Sequence, residues 1–138
     1  MKALHADKTG KILECAFDVL NTLGCGFLEK VYENAMTAAL READMEVSQQ
    51  VPFRVHYRDV LVGDYLADMV VDNAVLVEIK ATEDQSPAHI AQVLNYLKAS
   101  GLPVGLLLNF GQPRLFYRRL TLKEKHKSPH IGDSGDGV

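Results

Sequence analysis

The chain of 138 residues reads as an α+β protein, a mixed β-sheet core flanked by helices in the order ααβββαββ. Three observations predict this. Two segments with apolar residues at helical spacing come first. Three alternating segments joined by short turns follow, as an antiparallel meander does. A Ser-Pro helix start then separates the meander from two further strands.

Taking the elements in order, Ile12, Cys15, Ala16, Val19, Leu20 and Leu23 form the stripe of a first helix, which Gly24-Cys25-Gly26 ends. A second helix is expected from about Phe27 to Ala43, with Leu28, Val31, Ala35, Met36, Ala39 and Leu40 facing the core. Gln50 to Tyr57 alternates, with Arg54 and His56 on its polar side, and a turn at Arg58-Asp59 leads into Val60 to Val71. The third strand, Ala74 to Ala81, is mostly β-branched and aliphatic, as a buried strand should be. Ser86 and Pro87 start a third helix that runs to about Ser100 on Ile90, Val93, Leu94 and Leu97, and Gly101 closes it. Pro103 to Asn109 and Arg114 to Leu120 are the last strands. Residues 1–122 are expected to form one domain. From Lys123 onward the chain is polar and rich in Gly, Ser, Asp and Lys, so a disordered tail is expected.

The third strand carries two charges that need an explanation. Glu and Lys are rarely buried unless paired or bound to something. At a period of two, Glu78 and Lys80 share a face with Leu76, while Val75, Val77, Ile79 and Ala81 share the other. In the preceding strand Tyr65, Ala67, Met69 and Val71 form an apolar row, and Asp64, Leu66, Asp68 and Val70 the opposite one. The apolar rows coincide only if Asp68 lies opposite Glu78, which requires an odd connection such as Asp72-Asn73-Ala74, or a bulge. A plain two-residue turn would put the carboxylates on opposite faces. Cross-strand partners lie about 5 Å apart at Cβ, close enough for two carboxylates to hold one cation.

Composition narrows the class. At 47% hydrophobic and 24% charged, the chain is ordinary for a soluble globular protein. No apolar run approaches the length of about 20 residues that a membrane span needs, so no membrane partner is expected. The opening MKALHADKTGK lacks the apolar region of a secretory signal. Two cysteines are too few for a disulfide framework or a zinc site, which fits a reducing cytoplasm. The net charge of -3 gives no overall basic footprint for phosphates. Local basic groups exist at Arg54, His56 and Arg58 and at Arg114, Arg118, Arg119 and Lys123. A homodimer is one way to join them into a larger surface.

Two carboxylates, bound water and a substrate phosphate suit Mg²⁺, which takes few protein oxygens. A neighbouring lysine can orient water or neutralise charge on the phosphate. Asp68, nine residues, then Glu78-Ile79-Lys80 therefore suits phosphodiester hydrolysis. The spacing alone equally fits a Glu78–Lys80 surface pair on a half-exposed strand, with Asp68 merely ending the hairpin.

More of the chain matches than this string. Gly26-Phe27-Leu28-Glu29-Lys30-Val31-Tyr32 reads G-x-x-E-x-x-Y. With the Gln50 to Phe53 strand, the Asp68 and Glu78-x-Lys80 hairpin, the Ala91-Gln92 helix and the Gly105 to Phe110 strand, it resembles the GxxExxY proteins of the PD-(D/E)XK nuclease-like superfamily. The resemblance implies a restriction-endonuclease-like core and a Mg²⁺- or Mn²⁺-dependent nuclease acting on nucleic acid, DNA ahead of RNA. It implies a site of Asp68, Glu78 and Lys80, with the Ile79 backbone carbonyl as a further metal ligand. Glu29 would reach the metal directly or through water, and Gln92, with Tyr96 one turn on, would line the site. Ala67 stands where the superfamily's name has Pro, a residue that shapes the strand. A nuclease-fold binding or scaffold module without turnover, in a nucleic-acid-processing or defence complex, is the competing expectation. From the residues alone, Glu29 points either at the sheet edge or into water, and Tyr32 packs in the core with its hydroxyl at the rim.

Overall fold

Alternation and helical periodicity become eight elements in a computed structural model that describes residues 4–122. They are α1 (Ala6–Leu23), α2 (Glu29–Glu42), β1 (Val47–Tyr57), β2 (Val60–Val71), β3 (Val75–Lys80), α3 (Pro87–Ser100), β4 (Val104–Asn109) and β5 (Phe116–Leu120). The element order is the expected one. The tail expected from Lys123 lies outside the described residues. No helix among the described residues is long and apolar enough to cross a membrane.

The five strands form one sheet in sequence order. β1, β2 and β3 make an antiparallel meander, β4 runs parallel to β3, and β5 returns antiparallel to β4. Parallel neighbours need a crossover, and α3 supplies it. Ser86 Oγ accepts the Ala88 N–H at its start, and Gly101, at φ 76°, ends it in the left-handed conformation that glycine adopts without strain. α1 and α2 cover one sheet face through Ile12, Ala16, Tyr32, Met36 and Leu40, against Val75, Val77, Ile79, Leu106 and Leu108. α3 covers the other face through Val93 and Leu97, against Ala67, Leu76, Leu107 and Leu120. It lies so close to β4 that a Cβ on Gly105 would sit 2.7 Å from Val93 Cγ1.

The β2–β3 register is the expected one. Met69 pairs with Val77, Val70 with Leu76 and Val71 with Val75, across the three-residue connection Asp72-Asn73-Ala74. Asp72 and Asn73 both have positive φ, at 53° and 55°, a conformation that short Asx side chains tolerate.

Two expectations are corrected. On α2 the buried face is Tyr32, Glu33, Met36, Thr37 and Leu40, whereas Leu28 is 81% exposed and Val31 is also exposed. The helix starts at Glu29, and the stacking of Tyr32 on Phe110 (4.7 Å, 9°) fixes which side faces the sheet. The apolar row of β2 is also not continuous. Met69 and Val71 pack under α1 and α2, but Ala67 and Tyr65 pack on the α3 side with Phe53. The crossover of faces falls at Asp68 and its neighbour Gln50, whose φ of 54° interrupts the extended backbone of β1.

Candidate active site

Beyond Met69 and Val77 the regular β2–β3 pairing stops, and two carboxylates take over from the backbone ladder. The Asp68 N–H donates to Glu78 Oε2 (3.1 Å), and the Ile79 N–H donates to Asp68 Oδ2 (2.8 Å). Each carboxylate thus holds the opposite strand, which fixes both side chains at the fraying end of the hairpin. Glu78 is 4% exposed and is not the surface partner of Lys80, since no ion pair joins them. The end of β3 is anchored on its other side too. The Phe110 N–H donates to the Lys80 carbonyl, and the buried Asn109 accepts the Thr82 and Gly111 N–H groups while donating to Thr82 Oγ1 and Gln85.

The electrostatics follow from burial. Desolvation pushes the Glu78 carboxyl up from 4.5 to about 8, and the charge of Asp68 adds to it. The Asp68 N–H and the Lys80 charge act in the opposite direction. Burial also raises Asp68, helped by Glu33 and Glu29, against the Ile79 N–H and the Gln50 amide. Two acids with raised pKa values on one face gain from a bound cation.

Glu29 is exposed at the start of α2, and it lines a cavity of about 550 Å³ together with Glu33, Lys30, Gln50, Asp68 and Ala81. Its charge reaches both Asp68 and Glu78. Gln92 makes no hydrogen bond to the Asp68 or Glu78 carboxylate. Nε2 donates to the Tyr96 hydroxyl (2.8 Å), and the field of Glu78 and Asp68 is felt at Tyr96. Lys80 is half-buried and makes no side-chain hydrogen bond or ion pair among the described residues. Tyr32 is wholly buried. Its hydroxyl donates to the Gly24 carbonyl (2.6 Å) and accepts the Phe27 N–H (3.2 Å), so it ties down the loop that leads to Glu29.

Glu33 is the residue that sequence reading missed. It is 3% exposed, yet its carboxylate accepts from Gln49, Gln50 and Lys30. Its helical spacing, one turn beyond Glu29 and on the flank of Tyr32 and Met36, was the available signal.

Asp68 and Glu78 present hard carboxylate oxygens on adjacent strands, the donor type that Mg²⁺ and Mn²⁺ take. Among the described residues no group of three or more His, Cys, Asp or Glu is arranged to hold a metal ion.

A five-stranded mixed sheet between two helices and one, with this acidic hairpin end, is a restriction-endonuclease-like α+β fold. A family profile of the PD-(D/E)XK nuclease superfamily matches residues 6–120, and the chain belongs to that superfamily. No curated protein and no solved structure matches the chain significantly.

Proposed function

We propose that the protein is a Mg²⁺- or Mn²⁺-dependent phosphodiesterase acting on nucleic acid, of the GxxExxY group within its superfamily. The observation that carries this reading is the mutual clasp of Asp68 and Glu78, each accepting a backbone N–H from the other's strand, with Lys80 two residues on. Asp68 and Glu78 would hold the ion, with the Ile79 carbonyl as a further oxygen and Glu29 acting through water. The ion, when bound, polarises a phosphoryl oxygen and makes water more acidic. Lys80, with no competing side-chain partner among the described residues, is free to orient a water molecule or to neutralise charge developing on the phosphate. Gln92 acts as a positioning residue, holding the Tyr96 hydroxyl on the rim of the site. Two free cysteines fit a reducing compartment such as the cytoplasm.

The test is cleavage of single- and double-stranded DNA and RNA with Mg²⁺ or Mn²⁺ by wild type, Asp68→Ala and Lys80→Ala. Each substitution is expected to cost at least about 100-fold in rate, the scale of losing a charge-stabilising group. Thermal melts establish that the variants fold. Cleavage that survives both substitutions refutes the site.

A further inference from the structure

On the α3 side of the sheet, within electrostatic reach of Glu78 through Tyr65 and Tyr96, lies a second cavity of about 650 Å³ with the opposite electrostatic character. Arg54 and His56 of β1, Tyr65 of β2, and Asn95, Tyr96 and Lys98 of α3 line it, and no acidic residue does. The β1–β2 register shifts between Val55 and His56, at the rim of this hollow. The shift leaves Val62 of β2 without a partner beside the edge where Arg54, Val55 and His56 all border one hollow. The side chains of Arg54, His56 and Lys98 make no hydrogen bond or ion pair among the described residues. The charges of Arg54 and Lys98 are therefore available to a ligand.

The floor of the hollow is aromatic. Tyr65 and Tyr96 stack with ring centroids 3.6 Å apart and planes 8° from parallel, and Phe53 stacks behind Tyr65 at 5.6 Å. The Tyr65 hydroxyl donates to the Tyr96 carbonyl, which locks the pair across the β2–α3 contact. Burial raises the pKa of both phenols, so both stay neutral beside an anion at physiological pH. The charges of Glu78 and Asp68 also raise the Tyr96 phenol, so the hollow lies within electrostatic reach of the acidic pair.

We propose that this hollow binds a single-stranded polynucleotide, with a base against the face of Tyr96 that Tyr65 leaves uncovered and flanking phosphates on Arg54 and Lys98. The proposal rests on the reading of the neighbouring carboxylates as a nuclease centre, and it names the form of substrate that reaches them. Aromatic platforms flanked by cations are what bind strands whose bases are unstacked. A duplex keeps its bases stacked on each other and gives these rings nothing to contact. The volume is that of a small-ligand site, which suits a nucleotide or two. The local charge also resolves the difficulty of a chain with net charge -3, since the positive groups are gathered where the strand lies and the acids where a cation belongs.

The test is binding of fluorescein-labelled oligonucleotides of about 12 nucleotides, a typical single-strand site size, measured by anisotropy in EDTA. Poly-dT, poly-U and a duplex DNA of equal length form the arms, and the first two distinguish DNA from RNA. Wild type is expected to bind a single strand at least about tenfold more tightly than duplex. The double variant Arg54→Glu/Lys98→Glu, at two exposed positions, is expected to lose at least about tenfold in affinity. Its log-log salt slope should be shallower by about 1.4, the share of two single-strand phosphate contacts. Binding without cleavage by wild type leaves the groove standing and removes the hydrolytic reading. No oligonucleotide binding, equal affinity for duplex, or binding unchanged by the double charge reversal overturns the groove, even if the protein cleaves nucleic acid.

Discussion

Without metal, the protein should lose stability as pH rises through neutrality, and Glu78→Gln should remove that loss. Glu78 is 4% exposed, and its carboxyl titrates at about 8 in the folded chain against 4.5 unfolded. Below pH 4.5 both states hold the proton and the group does not affect folding. Between these values the unfolded chain has released its proton and the native chain has not, so each step up in pH favours unfolding. Above about 8 the native carboxylate is ionised as well, and the full penalty is present. Each tenfold difference in proton affinity is worth about 1.4 kcal/mol, so the penalty at pH 9 is about 5 kcal/mol. A small domain has a total stability of about 5–15 kcal/mol, so the effect is large.

Glutamine keeps an oxygen to accept the Asp68 N–H but carries no charge, so the variant lacks this slope. Urea denaturation of both proteins in EDTA at about pH 5, 7 and 9 checks the reasoning. The variant should gain on wild type progressively, by about 5 kcal/mol at the highest pH. Titrating groups that do not interact with Glu78 are common to both proteins and cancel in the difference, whereas relief of its neighbour Asp68 adds to the gain of the variant. A difference that stays constant across this range would refute the claim that Glu78 is buried as a coupled acid.

Two further outcomes follow from the same geometry. Calorimetric titration with Mn²⁺ near pH 7 should show binding with release of close to one proton, read from the dependence of heat on buffer ionisation enthalpy, because Glu78 keeps its proton to about 8 and a ligand carboxylate must give it up; a site that binds no Mn²⁺ would instead make the protein a silent nuclease-fold module. Tyr32→Phe should keep the stack on Phe110 but leave the Gly24 carbonyl and Phe27 N–H without the hydroxyl, at a cost of about 1–3 kcal/mol measured by urea denaturation.

The sequence was most legible where one face of an element had to be apolar. The β2–β3 register followed from matching two apolar rows, and Met69, Val70 and Val71 pair as that matching requires. The acidic pair was legible for the same reason, since a one-residue slip would have separated Asp68 from Glu78. What stayed hidden was set by tertiary contacts. Leu28 and Val31 look like core residues, but the ring of Tyr32 fits against Phe110 and turns them outward. Glu33 looks like a solvated helix position, because nothing local reveals that Gln49 and Gln50 will arrive from β1 to satisfy it. Gln92 and Tyr96 were both read as lining the site, and the spacing of one turn did not reveal that the Gln92 amide is spent on the Tyr96 hydroxyl.

The least legible feature, the change of face at Gln50 and Asp68, also connects most of the functional surface. A non-glycine residue at φ 54° is strained by about 1 kcal/mol, and Gln50 is held there by hydrogen bonds from its side chain to the Glu33 carboxylate. Glu33 is in turn held by Gln49 and Lys30, so the strain is offset by a buried polar network rather than by packing. Beside this turnover the regular pairing of β2 with β3 ends at Met69, and the Asp68 and Glu78 carboxylates bind backbone N–H groups of each other's strand instead. The turnover swings Phe53 and Tyr65 to the α3 side, where they meet Tyr96. A straight β1–β2 hairpin would have put Tyr65 and Phe53 under α1 and α2 with Met69. The acidic centre and the aromatic groove therefore meet at one local backbone event, and Glu33 is the residue that supports it.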